Sequence, residues 1–239
     1  RFYNPYDRPL PLPPGALIHS SWYQPPLYAR AGDTGEILGY DFFGGNLPGI
    51  RAKLSYLADL GVKAIYCNPV FSAVSNHKYD TGDYETVDAG FGGNAALVAL
   101  CREAARYGIR VLLDGVFSHT GSDSRYFNKE GRYDEVGAYQ SKDSPYYKWF
   151  RFRAWPQDYD AWWDIGNLPN VNELEPSYVD YMITGENSVV ARWQRAGIKG
   201  WRLDVADELP TAFICRLRKR LKTLDEDSAL IGEVWEDAS

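Results

Sequence analysis

GWRLDVADE at residues 200–208, followed by GEVW at 232–235, decides the reading of this 239-residue chain. Each stretch ends a short apolar run that reads as a buried strand, and each leaves one carboxylate, Asp204 or Glu233, at the strand's end. Neighbouring strands lie about 4.8 Å apart. Cleavage of a glycosidic bond with retention needs two carboxyl groups about 5 to 5.5 Å apart, so adjacent strand ends offer the right spacing.

Working outward, apolar runs at 16–23, 62–68 and 109–116 read as three earlier strands, with 197–205 and 229–235 as the fourth and fifth. Helical spacing fills the intervals at 47–60, 94–107, 186–196 and 211–224; Ile50, Leu54, Leu57 and Leu60 lie three or four apart. Strands alternating with helices imply a parallel sheet. Gly61, Gly108 and Gly197 stand just before strands, at the offset of helix C-terminal caps. No glycine-rich turn follows the first strand, which disfavours an open dinucleotide-binding sheet and favours an α/β (β/α)₈ TIM barrel. About five strands fit within 239 residues, so the barrel is incomplete here. The expected organisation is a Pro-rich arm at 1–15 (Pro5, Pro9, Pro11, Pro13, Pro14), barrel at 16–118, an insertion after the third strand at 119–184, and barrel again at 185–239, stopping before strands six to eight.

Composition excludes several classes. A net charge of −6 without a basic stripe argues against nucleic acid. There is no apolar run long enough to span a membrane and no leader, and Cys67, Cys101 and Cys215 are few and scattered, which suggests reduced thiols in a bacterial cytoplasm. The chain begins at Arg1 rather than Met, so its own N-terminus is expected to lie upstream. Aromatic residues concentrate at 126–163, which holds 13 of them in 38 positions. That concentration reads either as a small insertion with a core built from rings or as a wall for stacking sugars.

Four polar clusters fall at or after strand ends, the face where barrel enzymes keep their active sites. They are NHKYDTGDY at 76–84, DGVFSHTG at 114–121, the Arg202/Asp204 pair, and Glu233. Arg202 and Asp204 are two apart and project to one side of a strand. A guanidinium there is expected to lower the Asp204 pKa and keep it ionised. The plainer alternatives are a structural ion pair for Asp204, a helix cap for Glu233 and a hydrogen-bonded loop residue for His119. Three histidines argue against a His-based zinc site, and there is no Gly-x-Ser-x-Gly elbow.

DGVFSH, GWRLDVADE and GEVW, in this order, resemble the first three signature segments of the α-amylase family of glycoside hydrolases. HKYDTGDY, WWDIGNLPNVN at 162–172 and VADE are most similar to its neopullulanase, cyclomaltodextrinase and maltogenic amylase group. The resemblance implies a TIM barrel whose 119–184 insertion is that family's domain B. It implies Asp204 as nucleophile forming a glycosyl-enzyme ester, and Glu233 as general acid/base. Arg202 would hold the nucleophile, Tyr79 would stack under the sugar, His119 would bond its hydroxyls, and Asp114 would brace Arg202.

The implied partner is an α-glucan oligosaccharide or polysaccharide, with a homodimer expected for the full-length protein through an upstream domain. No cofactor is required. Calcium is disfavoured because Ser118 stands where the family has Asn, and Asn46 where it often has Asp. The fourth signature segment, which supplies the third acid, does not occur within the 239 residues, so the piece alone is expected to be inactive. Two competing readings are a non-catalytic glucan-binding or assembly module, and a phosphate-handling barrel using Asp114 and Asp204 as cation ligands.

Overall fold

The computed structural model describes residues 16–21, 23–26 and 41–237; the expected arm at 1–15 lies outside them. Strands β1 (Leu17–Ile18) and β2 (Asp41–Phe42) are followed by helices α1 (Leu47–Arg51) and α2 (Leu54–Asp59), then β3 (Ala64–Tyr66), β4 (Phe71–Ser72) and β5 (Asp83–Val87). Helix α3 (Gly93–Arg106) leads into β6 (Arg110–Gly115), the hairpin β7 (Phe152–Ala154) and β8 (Asp158–Tyr159), and α4 (Pro176–Val179). Helix α5 (Val189–Arg195), β9 (Gly200–Leu203), α6 (Thr211–Leu224) and β10 (Ala229–Gly232) complete the order.

Strands β3, β6, β9 and β10 form one parallel sheet in consecutive order. Chain order equal to spatial order, with helices between, is an arc of a β/α barrel. The sheet holds four of the expected strands. The run at 16–23 forms only the short β1, which pairs with β2 rather than joining the sheet among the described residues; Leu17 and Ile18 are exposed and contribute no core face.

The helices follow their apolar spacing. Helix α6 buries Phe213, Leu217 and Leu221, four residues apart, and α3 buries Leu97, Leu100, Cys101 and Ala104. The single helix expected at 47–60 is two, interrupted at Ala52 and Lys53. Gly61, Gly108 and Gly197 have φ of 87°, 65° and 109°, the left-handed geometry of a helix C-terminal cap. Ser188 caps α5, its Oγ accepting from the Ala191 amide.

Most of the aromatic concentration serves packing. Tyr126, Phe127, Trp149, Phe150 and Tyr159 are buried, with Phe127 edge-on to Phe150 and Tyr159 at 4.9 and 4.7 Å. Trp163 is the exception, at 65 % exposed. Burial pushes the Cys67 and Cys101 thiols up to about 12, whereas Cys215 is exposed.

Candidate active site

Strand register brings the predicted acids together. Asp114 on β6 is paired with Arg202 on β9, and Arg202 with Ile231 on β10. Paired residues share a sheet face, as do residues two apart, so Asp114, Arg202, Asp204 and Glu233 all project to one side. Arg202 is the hub. Its Nη1 donates to Asp114 Oδ1 and Oδ2 at 2.9 and 3.0 Å and to Asp204 Oδ1 at 2.8 Å, while Nη2 lies 2.6 Å from Glu233 Oε2. One guanidinium thus serves three carboxylates, and Asp204 and Glu233 are held at its two terminal nitrogens.

Asp114 is 1 % exposed and accepts further hydrogen bonds from the hydroxyls of Tyr66 and Tyr79, the latter at 3.3 Å. The Arg202 guanidinium carbon lies 5.9 Å from the centre of the Tyr66 ring. Beyond Asp204 the chain turns at Val205, whose φ of 41° is unusual for a β-branched residue. Its amide donates to Glu233 Oε2 at 3.0 Å, so the strained turn anchors the second acid.

The charge balance differs from the sequence expectation. Arg202 does lower the Asp204 pKa, but burial outweighs it and the carboxyl is pushed up to about 6. Asp114 is also raised, again chiefly by burial. Glu233 is more open to solvent. Burial there raises its pKa, but the Val205 amide, Trp235, Arg202 and Asp204 together outweigh it, and the net shift is downward.

His119 is 2 % exposed. Its Nδ1 pairs with Ser118 Oγ at 2.9 Å, its Nε2 has no hydrogen-bond partner among the described residues, and its ring centre lies 5.4 Å from that of Trp162. Burial lowers its pKa to about 4, so the ring is neutral near pH 7. The two positions linked to calcium have other partners. Ser118 is bonded to His119, and Asn46 Oδ1 caps α1 by accepting from the Gly49 amide at 2.8 Å. Among the described residues no cluster of three or more His, Cys, Asp and Glu side chains is arranged to hold a metal ion.

Several residues at this end of the sheet were missed from sequence. Tyr66 is paired with Leu112, two before Asp114, and so shares the acids' face; alternation along VKAIYCN was the available signal. Glu208 accepts the indole N–H of Trp162 at 2.9 Å on Oε2 and of Trp163 at 3.1 Å on Oε1. The rings of Trp162 and Trp163 are stacked at 5.4 Å, and Trp163 meets Trp235 edge-on at 5.7 Å. Glu208 also lines a polar cleft with Ser118, Arg151, Asp160, Asn170 and Glu173, where burial pushes Glu173 up to about 7. Both ends lie in the motifs WWDIGNLPNVN and VADE, but neither motif names its partner, and the pairings join residues 45 and 46 positions apart.

The α-amylase catalytic-domain model matches residues 25–239. The chain belongs to the α-amylase catalytic-domain family. That family's domain is a TIM barrel, of which the four-stranded parallel arc is a part. The chain is 38 % identical to an amylopullulanase of Thermoanaerobacterium saccharolyticum over 93 % of its own length and 19 % of that protein's. It is 39 % identical to a cyclomaltodextrinase of Geobacillus thermopakistaniensis over 82 % of its length and 33 % of the relative's. Among solved structures, the protein Ttha1563 of Thermus thermophilus superposes with a TM-score of 0.78 at 37 % identity, over 97 % of this chain and 45 % of that one. Family relatives named maltogenic amylase and neopullulanase agree with the group the motifs resemble, while amylopullulanase was not foreseen. The chain spans between about a fifth and a third of the length of these two curated relatives.

Proposed function

We propose that the chain is the first part of the catalytic barrel of a retaining α-glucan hydrolase, with residues 119–184 as domain B. The observation that carries this reading is the cluster of Asp204 and Glu233 on one guanidinium at the ends of adjacent strands. Asp204 attacks the anomeric carbon as Glu233 protonates the glycosidic oxygen; the glycosyl ester is then released by water deprotonated by Glu233. Tyr79 and His119 would meet the sugar, the neutral His119 through its Nε2, which has no partner among the described residues.

In the arrangement described, Glu233 is held as a carboxylate, the wrong form for the first step. The role therefore requires the Glu233–Arg202 contact to open as substrate displaces water, so that desolvation raises the pKa of Glu233. The substrates are proposed to be maltooligosaccharides, cyclomaltodextrins, pullulan or starch, consistent with the names of the relatives. Cytoplasmic placement is supported by the relative named intracellular maltogenic amylase in Bacillus subtilis. Because the fourth signature segment is not among these 239 residues, the isolated chain is proposed to bind glucan without appreciable turnover.

The test is product analysis of the full-length protein on cyclomaltodextrin, pullulan and starch, with Asp204→Asn and Glu233→Gln alongside. Turnover should fall by about 10³-fold or more in each variant. An Asp204→Asn protein with normal turnover would refute the assignment, and hydrolysis by the purified 239-residue chain would refute its proposed inactivity.

A further inference from the structure

The 76–84 stretch contains a second unusual residue beside Tyr79. Lys78 is 1 % exposed, as buried as the core leucines. An ammonium in such a place is costly unless its donors are met. Nζ donates to Asp88 Oδ2 at 2.7 Å and to the Ala73 carbonyl at 2.7 Å, with the Phe42 and Phe91 ring centres 5.6 and 5.9 Å away. Lys78 also has φ of 64°, in the left-handed region that side-chain-bearing residues avoid. Its amide donates to Ser75 Oγ at 2.9 Å, and Ser75 is tied to Asp80 through its own amide at 3.1 Å and its hydroxyl.

Tyr79 therefore sits between two buried anchors, each bonded away from the acids, while its own hydroxyl reaches Asp114 Oδ2 at 3.3 Å. Stability alone is a weak reason for this ion pair, since a well-packed apolar residue of similar volume often does as well. What the pair adds is direction. Two bonds from Nζ to fixed oxygens, combined with a left-handed backbone, leave the following residue little angular freedom.

We propose that Lys78 is a positioning residue for Tyr79: its buried pair with Asp88 sets the ring's place beside Asp114 and thereby the platform against which a sugar stacks. The platform part rests on the glycosidase reading above; the placement of Tyr79 does not. In the full-length protein, Lys78→Met should cut kcat/KM by about tenfold or more, and a Lys78→Met/Tyr79→Ala double variant should be no worse than Tyr79→Ala alone. A purely structural lysine predicts instead a lower Tm with losses that multiply. Near-normal kcat/KM in Lys78→Met, or multiplying losses, overturns the proposal.

If Lys78→Met fails to fold, Asp88→Asn, which removes the paired charge and keeps an acceptor, carries the same test. A crystal structure of the folded variant reads the Tyr79–Asp114 contact without any need for turnover. If the hydroxyl has left Asp114 and the wild type cleaves no α-glucan, the positioning stands and the glycosidase reading falls. If the contact is unchanged, the positioning falls whatever the turnover.

Discussion

Replacing Asp204 by asparagine should stabilise the folded chain at pH 8 while abolishing the chemistry proposed for it. Burial pushes this carboxyl from 3.8 to about 6, although Arg202 pulls the other way. Below pH 3.8 the acid is protonated in folded and unfolded chains alike, and the wild type and the variant should have equal stability. Between 3.8 and about 6 the unfolded chain ionises first, so folding is progressively penalised; above that range the penalty is constant. About two pKa units correspond to about 3 kcal/mol, and residual solvent access to the group reduces this to about 2 kcal/mol. Asparagine keeps an oxygen for the Arg202 Nη1 bond, now 2.8 Å long, and carries no charge. For a chain of this size the gain amounts to about 4 to 8 °C in Tm at pH 8, shrinking as pH falls and gone well below pH 3.8. Thermal melts followed by circular dichroism across that range measure it. A variant less stable than wild type at pH 8, or a difference that does not vary with pH, would refute the reasoning.

Tyr66→Phe removes a hydroxyl donor from the almost fully buried Asp114, and should cost about 1.5 to 3 kcal/mol in urea unfolding at pH 7, with less loss as falling pH protonates the acid, whose pKa burial raises. Glu208→Leu deprives both indole N–H groups of their acceptor. Tryptophan fluorescence should change, and maltooligosaccharide affinity should fall by about fivefold if Trp163 contacts the ligand. Unchanged fluorescence would show that Glu208 does not hold the pair.

The fold and the central acids were legible because they depend on local patterns. Apolar runs separated by helical spacing specify β/α order. Alternation puts Arg202 and Asp204 on one side of a strand, while Asp114 and Glu233 could be named with them from their places at strand ends and from the family resemblance. Among the described residues strand β1 pairs with β2 rather than with the sheet, because strand pairing depends on which edge is available and an apolar run does not encode its partner. Tyr66 went unnoticed because a tyrosine in a strand usually packs, and its link to Asp114 spans 48 positions.

The sequence by itself determined the β/α order, the acids at strand ends with Arg202 and Asp204 on one side, and the family to which the motifs belong, since periodicity of two or 3.6 and short motifs are local properties. Only the tertiary structure decided protonation. Proximity to Arg202 suggested an ionised, low-pKa Asp204, but the desolvation that comes from packing raised it. Glu233, nearer to solvent and bonded to both Arg202 and Val205, was lowered. Burial is the sum over every neighbour that excludes water, and no stretch of sequence contains that sum.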